Sequence, residues 1–96
     1  MWQPDQRLTI GHDLGMLLDA ATAAVRVGSV SNSSIQRHVR VGFAKAGRLR
    51  LLLEQEGIID SSRGTAGRHQ SLVAPGGLDA ALSRIREAAG KETGNG

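Results

Sequence analysis

Residues able to do covalent or acid-base chemistry are few in this chain and badly spaced for it. His12, His38 and His69 are scattered and there is no cysteine, so neither a thiolate zinc site nor an H-E-x-x-H metal helix can be assembled. Gly90-Lys91 is followed by Glu92 rather than Ser or Thr, and Ile85 stands where the first glycine of a phosphate-binding P-loop would fall. No G-x-S-x-G elbow occurs, and Glu54, Glu56 and Asp60 read as helix-end and loop carboxylates rather than an acid-base pair. The expectation is a chain with no catalytic residue, no cofactor and no metal.

Binding chemistry is better supplied. The formal net charge is +3, but residues 26–70 carry eight Lys and Arg against Glu54, Glu56 and Asp60. No acid falls between Asp19 and Glu54, where Arg26, Arg37, Arg40, Lys45, Arg48 and Arg50 all stand. Such a block suits a polyanion, and a solvated basic face is the other reading. Lys45 and Arg48 lie one turn apart if their segment is helical. There they can meet phosphate oxygens, and the Arg48 fork matches the O6 and N7 acceptors of guanine. Arg50 is spaced to pair with Glu54 at i+4. Arg37 and Arg40 suit the phosphate backbone, which fixes register without reading sequence, and Arg63 and Arg68 bracket a loop that can reach a phosphate or a minor groove.

The elements that position these cations follow from periodicity. Ninety-six residues allow one compact domain, and a 40% hydrophobic composition with one Trp, one Phe and no Tyr makes its core aliphatic. Met1 to Asp5 lacks a signal-peptide pattern and no apolar stretch approaches a membrane span, so a cytoplasmic chain without membrane contact is expected. Residues 1–12 read as an arm. Leu14, Leu17, Leu18, Ala21 and Val25 then form one helical stripe, with Asp13 as N-cap and Gly28 as stop. Ser33 with Gln36 fits a capping box for a short helix from Ser34 to Val39 that buries Ile35 and Val39. After a turn at Arg40-Val41-Gly42, a third helix runs from Phe43 to Glu56. Its core stripe is Phe43, Ala46, Leu49 and Leu53 with Leu52 beside it, and its outer face carries Ala44, Lys45, Arg48, Leu51 and Gln55.

Two helices joined by a tight glycine-containing turn make a helix-turn-helix, whose second helix enters the major groove in DNA-binding examples. Ile58-Ile59 reads as a strand, residues 60–67 as a glycine-bearing loop, and Arg68 to Val73 as a returning strand. The expected fold is therefore mainly α with a small β-wing. It is a winged helix-turn-helix over residues 13–74, with a three-helix core and a two- or three-stranded wing. Residues 75–89 add an amphipathic C-terminal helix on Leu78, Leu82, Ile85 and Ala89, and residues 90–96 read as a disordered tail.

The run from Ser33 to Leu49 resembles the I-Q-R-x-x-R-I-G-Y-N-R-A-x-R-hydrophobic motif of the gamma domain of FtsK/SpoIIIE DNA translocases, and Glu54-Gln55-Glu56-Gly57-Ile58-Ile59 resembles that domain's M-E-x-x-G-I-V. The likeness extends from Asp13 to Val73. It implies a winged helix at the C-terminus of a ring-shaped, ATP-driven pump for double-stranded DNA. Such a module binds short polar DNA motifs, loads and orients the motor, and leaves ATP hydrolysis to a separate domain of the parent protein. Arg48 matches the family pattern, whereas Ala44 replaces its Asn and Leu51 its acidic residue. Those two departures point away from the chromosomal orienting sequence. A similar winged helix occurs in TraB-type conjugative plasmid translocases of actinobacteria, and a composition rich in Arg, Ala and Gly and poor in Lys leans that way.

The reading is a module that binds double-stranded DNA through Ala44, Lys45, Arg48 and Leu51 in the major groove, Arg37 and Arg40 on phosphates, and Arg63 and Arg68 in the wing. Its partners would be duplex DNA, a translocase motor domain and a protein such as a recombinase. Two alternatives stay open at this point. A stand-alone transcriptional regulator of the same fold would dimerise, for instance through the fourth helix, on a palindromic site. A protein-interaction module would use the apolar Leu51 face and show no salt-dependent DNA binding.

Overall fold

The computed structural model describes residues 8–64 and 67–94. A 3-10 turn, Gly11–Asp13, runs into α1 (Leu14–Val27), which buries Leu17, Ala20, Ala21, Ala24 and Val25. The helix stops at Gly28, whose φ of 95° is left-handed and whose N–H donates to the Ala24 carbonyl. A β-carbon would penalise that conformation, which is why a glycine ends the helix.

Ser29–Val30 form β1, and Ser31 follows in extended conformation. The Ser31 hydroxyl accepts the Ser34 N–H at 3.1 Å, and the Ser34 hydroxyl accepts the Ser31 N–H at 2.9 Å. This reciprocal box starts α2 (Asn32–Ile35) ahead of the expected Ser33 and Gln36 pair, because a serine at the third helical position does the work of Glu or Gln. The chain continues as a π-helical turn, Gln36–Arg40, and breaks at Arg40 with φ 62°. Val41 and Gly42 are extended and deliver the chain into α3 (Phe43–Gln55).

Ala46, Leu49, Leu52 and Leu53 are fully buried on α3, but Phe43 is 70% exposed. The expectation that Phe43 belongs to the core stripe is therefore corrected. It opens the helix one turn beyond Ala46, past the edge of the core, where it borders a polar cleft with Asn32, Ser33 and Arg63.

Gly57 (φ 75°) reverses the chain after α3, and Ile58 and Ile59 are buried. The wing is a narrow antiparallel sheet. β2 (His69–Gln70) pairs with β1 in the register Ser29↔Gln70 and Val30↔His69, while Ile59 bridges Ser71 on the other side of the returning chain. Bonds from Asp60 N–H to Gln70 carbonyl and from Leu72 N–H to Ile58 carbonyl, both 2.8 Å, complete the ladder. The chain returns after Ile58-Ile59 as expected, but the strand expected from Arg68 to Val73 is confined to His69–Gln70, and Ile59 contributes a single bridge to Ser71 rather than a strand. The strand at Ser29–Val30 falls in a stretch that reads as polar loop, since two residues give no alternation to detect. His69 is buried with its Nδ1 2.9 Å from the Asp60 carbonyl, so this histidine is a satisfied core residue.

A 3-10 turn, Pro75–Gly77, leads into α4 (Leu78–Gly94), which lays Ala81 and Ile85 into the core against α1. The helix passes the expected end at Ala89 and runs to Gly94. Its Glu92 carboxylate accepts the Ile10 N–H at 2.9 Å and the Gly11 N–H at 3.1 Å, and Ile10 is fully buried. The stretches read as arm and tail thus order each other where they are described, at residues 8–12 and 90–94. Residues 1–7 and 95–96 lie outside the described residues. The physical cause is a carboxylate placed on free N–H donors at the start of the 3-10 turn and α1, where the helix dipole also favours negative charge. No local pattern announces a cap supplied from the far end of the chain. Among the described residues no helix is long and apolar enough to cross a membrane.

Glu92→Ala removes this cap and should lower stability by about 0.5 to 2 kcal/mol, read as a fall in melting temperature, with Glu92→Gln intermediate. An unchanged melting curve in both variants would show that Glu92 does not hold the start of the 3-10 turn.

Candidate nucleic-acid interface

With Ala46, Leu49, Leu52 and Leu53 turned inward, helical geometry leaves Ala44, Gly47 and Leu51 at the centre of the outer face of α3. Leu51 is 44% exposed. Gly47 keeps the middle of the face shallow; a β-carbon there would meet only the Asn32 side-chain nitrogen at 3.9 Å. A shallow groove crosses this face from Leu8 past Arg48, Gly47 and Ala44 to Asn32.

The two flanks are built differently. On the side toward α2, Arg50 donates to Asn32 Oδ1 at 2.9 Å and pairs with Glu54, as its spacing predicts. On the other side the arm runs along α3. The Leu8 N–H donates to Gln55 Oε1 at 2.8 Å and Gln55 Nε2 donates to the Leu8 carbonyl at 2.9 Å, so one amide side chain satisfies the backbone as a neighbouring strand would. Arg48 Nη2 donates to the Thr9 carbonyl, and Arg48 Nε to Asp13 Oδ2 at 2.9 Å. Lys45 Nζ reaches the other oxygen, Asp13 Oδ1, at 2.8 Å.

Asp13 stands at the expected N-cap position of α1, but its side chain caps nothing there and goes to α3 instead. The carboxyl is only 10% exposed. The hydrogen bond from Lys45 holds its pKa below the usual aspartate value; burial opposes this shift, and the hydrogen bond and charge of Arg48 add to it.

Among the remaining cations, Arg37 and Arg40 are exposed on the turn that precedes α3, and Arg63 is exposed in the wing loop. None of the three makes an ion pair among the described residues. Arg68 is tied down: Nε donates to Ser29 Oγ at 2.7 Å and Nη2 to the Ser29 carbonyl at 3.0 Å, stitching β2 to β1. The wing loop closes through Gly64 N–H on the Arg68 carbonyl at 2.7 Å, and its tip at residues 65–66 lies outside the described residues. The structure thus gathers Ala44, Lys45, Arg48 and Leu51 on α3, sets Arg37 and Arg40 before its start, and brings Arg63 to the cleft beside Phe43. Sequence reasoning missed Asp13, Thr9 and Phe43 as parts of this surface. Only the long acid-free interval after Asp19 hinted that the cations of α3 would draw a carboxylate from elsewhere.

A family model described as the Ftsk gamma domain matches residues 13–70. Proteins described as DNA translocase FtsK are similar to the chain. The one from Streptomyces coelicolor is 47% identical over 77 residues, which is 80% of this chain and 8% of that protein. The one from Tropheryma whipplei is 45% identical over 76 residues, 79% of this chain and 10% of the relative. The Mycobacterium tuberculosis protein is 44% identical over 77 residues, 80% and 9%. The chain therefore spans a tenth or less of the length of each of these relatives. No solved structure gives a significant match.

Because the folded pKa of Asp13 is lowered, its stabilising contribution is complete above about pH 4 and lost as pH falls through the folded value. Asp13→Asn should cost about 1 to 2 kcal/mol at neutral pH, between an exposed and a buried ion pair. In paired thermal melts the gap between wild type and variant should narrow on acidification below about pH 4. A gap that does not change with pH would show that the carboxylate charge contributes nothing.

Proposed function

Because this chain belongs to the FtsK gamma domain family, we propose that it is a winged-helix module that binds double-stranded DNA by laying α3 in the major groove. The observation that carries this reading is the outer face of α3, small and open at Ala44, Gly47 and Leu51, with cations along its rim. A duplex needs that combination: room for base edges at the centre, and positive charge where the phosphate strands pass.

Within it, Arg48 takes guanine O6 and N7, while Ala44 and Leu51 meet thymine methyls or other apolar surface. Lys45, Arg37 and Arg40 meet phosphates, and Arg63 brings the wing loop to the backbone or the adjacent minor groove. Arg68 gives two donors to Ser29, so its part is to hold the wing and offer its remaining N–H groups.

The binding is sequence-specific, and it loads or orients a hexameric FtsK-like motor on short repeated motifs in the cytoplasm. ATP hydrolysis belongs to the motor part of the parent protein and not to this chain. Several modules around one ring supply by avidity what a single small domain lacks in affinity. Ala44 and Leu51, which depart from the chromosomal motif pattern, favour plasmid-borne repeats and a role in conjugative transfer. The regulator alternative needs a dimer, and the apolar stripe of α4 that would make one is already turned onto α1 through Ala81 and Ile85.

Selection from a random duplex library, followed by titrations at several salt concentrations, tests the reading. Arg48→Ala should cost about 1 to 3 kcal/mol on the preferred duplex and relax base preference. Lys45→Ala should weaken preferred and scrambled duplexes alike and reduce the salt slope by about one. Equal, sequence-independent losses for both would remove Arg48 as a reader, and an absence of salt-dependent binding would leave a protein-interaction module. Arg40 separates stability from binding, since its φ of 62° suits glycine. Arg40→Gly should raise stability by about 0.5 to 1 kcal/mol while weakening DNA binding. A variant that gains stability and binds as before would take Arg40 off the phosphate backbone.

A further inference from the structure

A side chain that reads a base pair must present its donors in a fixed direction, and an arginine on a solvated helix face is free to present them in many. Arg48 is not free. Its Nε donates to Asp13 Oδ2 at 2.9 Å and its Nη2 to the Thr9 carbonyl, so the guanidinium is held by one edge. Nη1 has no hydrogen bond among the described residues, and Arg48 is 34% exposed. The far end of the fork, formed by Nη1 and the second proton of Nη2, is thus left over for two parallel bonds to a base edge.

The seat is itself rigid. Asp13 closes the 3-10 turn with its N–H on the Ile10 carbonyl at 2.9 Å, its carboxyl is 10% exposed, and Lys45 Nζ occupies the second oxygen at 2.8 Å. We infer that Asp13 is a specificity-determining positioning residue: its carboxylate grips the Arg48 guanidinium by its Nε edge and aims the Nη1 end at the base pair under α3. The inference rests on the reading of α3 as the DNA-recognition helix.

An electrostatic shield would also be an acid beside two cations, and the two roles differ in what Asp13→Asn does to the ratio of selected to scrambled affinity. Loss of a shield raises affinity for every duplex by the same factor. Loss of a positioning contact lets Arg48 wander, so that affinity for the scrambled duplex holds or rises while preference for the selected one collapses. The experiment is a cycle of four proteins, wild type, Asp13→Asn, Arg48→Ala and the double variant, each titrated with the selected duplex and its scramble. Circular dichroism melts confirm that each is folded at the titration temperature, and Asp13→Glu keeps the charge while moving it.

Asp13→Asn should cut the selected-to-scrambled ratio about fivefold or more, and in the Arg48→Ala background it should change that ratio less than about twofold. Asp13→Glu should also lose discrimination while keeping the salt slope of wild type. A wild-type preference that survives Asp13→Asn, or that falls equally in both backgrounds, overturns the positioning role and leaves the DNA reading intact. A wild type without any preference overturns both.

Discussion

A carboxylate that is nearly shut off from water must be paired, and Asp13 meets that constraint with two cations from one helix. Both partners, Lys45 and Arg48, sit on the flank of α3 that faces the start of α1, so one side chain fixes how the first and third helices of the domain meet. The rest of that edge follows. With Arg48 held, its Nη2 takes the Thr9 carbonyl, and Gln55 further along the same flank takes both backbone groups of Leu8. Ile10 is then drawn into the core, and its N–H and that of Gly11 are left for Glu92 at the far end of α4. Leu8 and Thr9 are thereby bound to α3, and Ile10 and Gly11 to the C-terminal part of α4, without belonging to the helix-turn-helix.

This arrangement divides the cations around α3 and the wing into two groups. Arg50, Arg68, Lys45 and Arg48 all have protein partners and contribute to the fold as well as to its positive field. Arg37, Arg40 and Arg63 have none among the described residues and stand away from the core. A free cation can follow a phosphate at little cost, whereas a held one acts in one direction. A surface that both anchors on a backbone and discriminates bases needs each kind.

Much of this was legible in the sequence because it depends on local period. Leu17, Ala21 and Val25 on α1, Ala46, Leu49 and Leu53 on α3, and Ile85 on α4 are buried where a 3.6-residue repeat puts them. Gly28 and Gly57 end helices in the conformation only glycine takes without strain. Phe43 departs from its stripe because a periodic pattern says which way a residue points and not where the core stops. The strand at Ser29–Val30 is too short to alternate, and the capping box falls to Ser31 and Ser34 rather than to Ser33 and Gln36 because both pairs have the required three-residue spacing. The contacts of Asp13, Thr9 and Glu92 span 35, 39 and 82 residues, and no window of sequence contains them.

We propose that the face of α3 at Ala44, Gly47, Arg48 and Leu51 lies in a DNA groove. The most direct measurement is a titration of the isotopically labelled chain with its selected duplex, following every backbone amide by NMR. The largest shifts should map to Ala44, Gly47, Arg48 and Leu51, continue through Arg37, Arg40 and Arg63, and spare the exposed side of α4 around Arg84 and Arg86. Shifts centred on α4, or spread evenly over all basic residues, would contradict it.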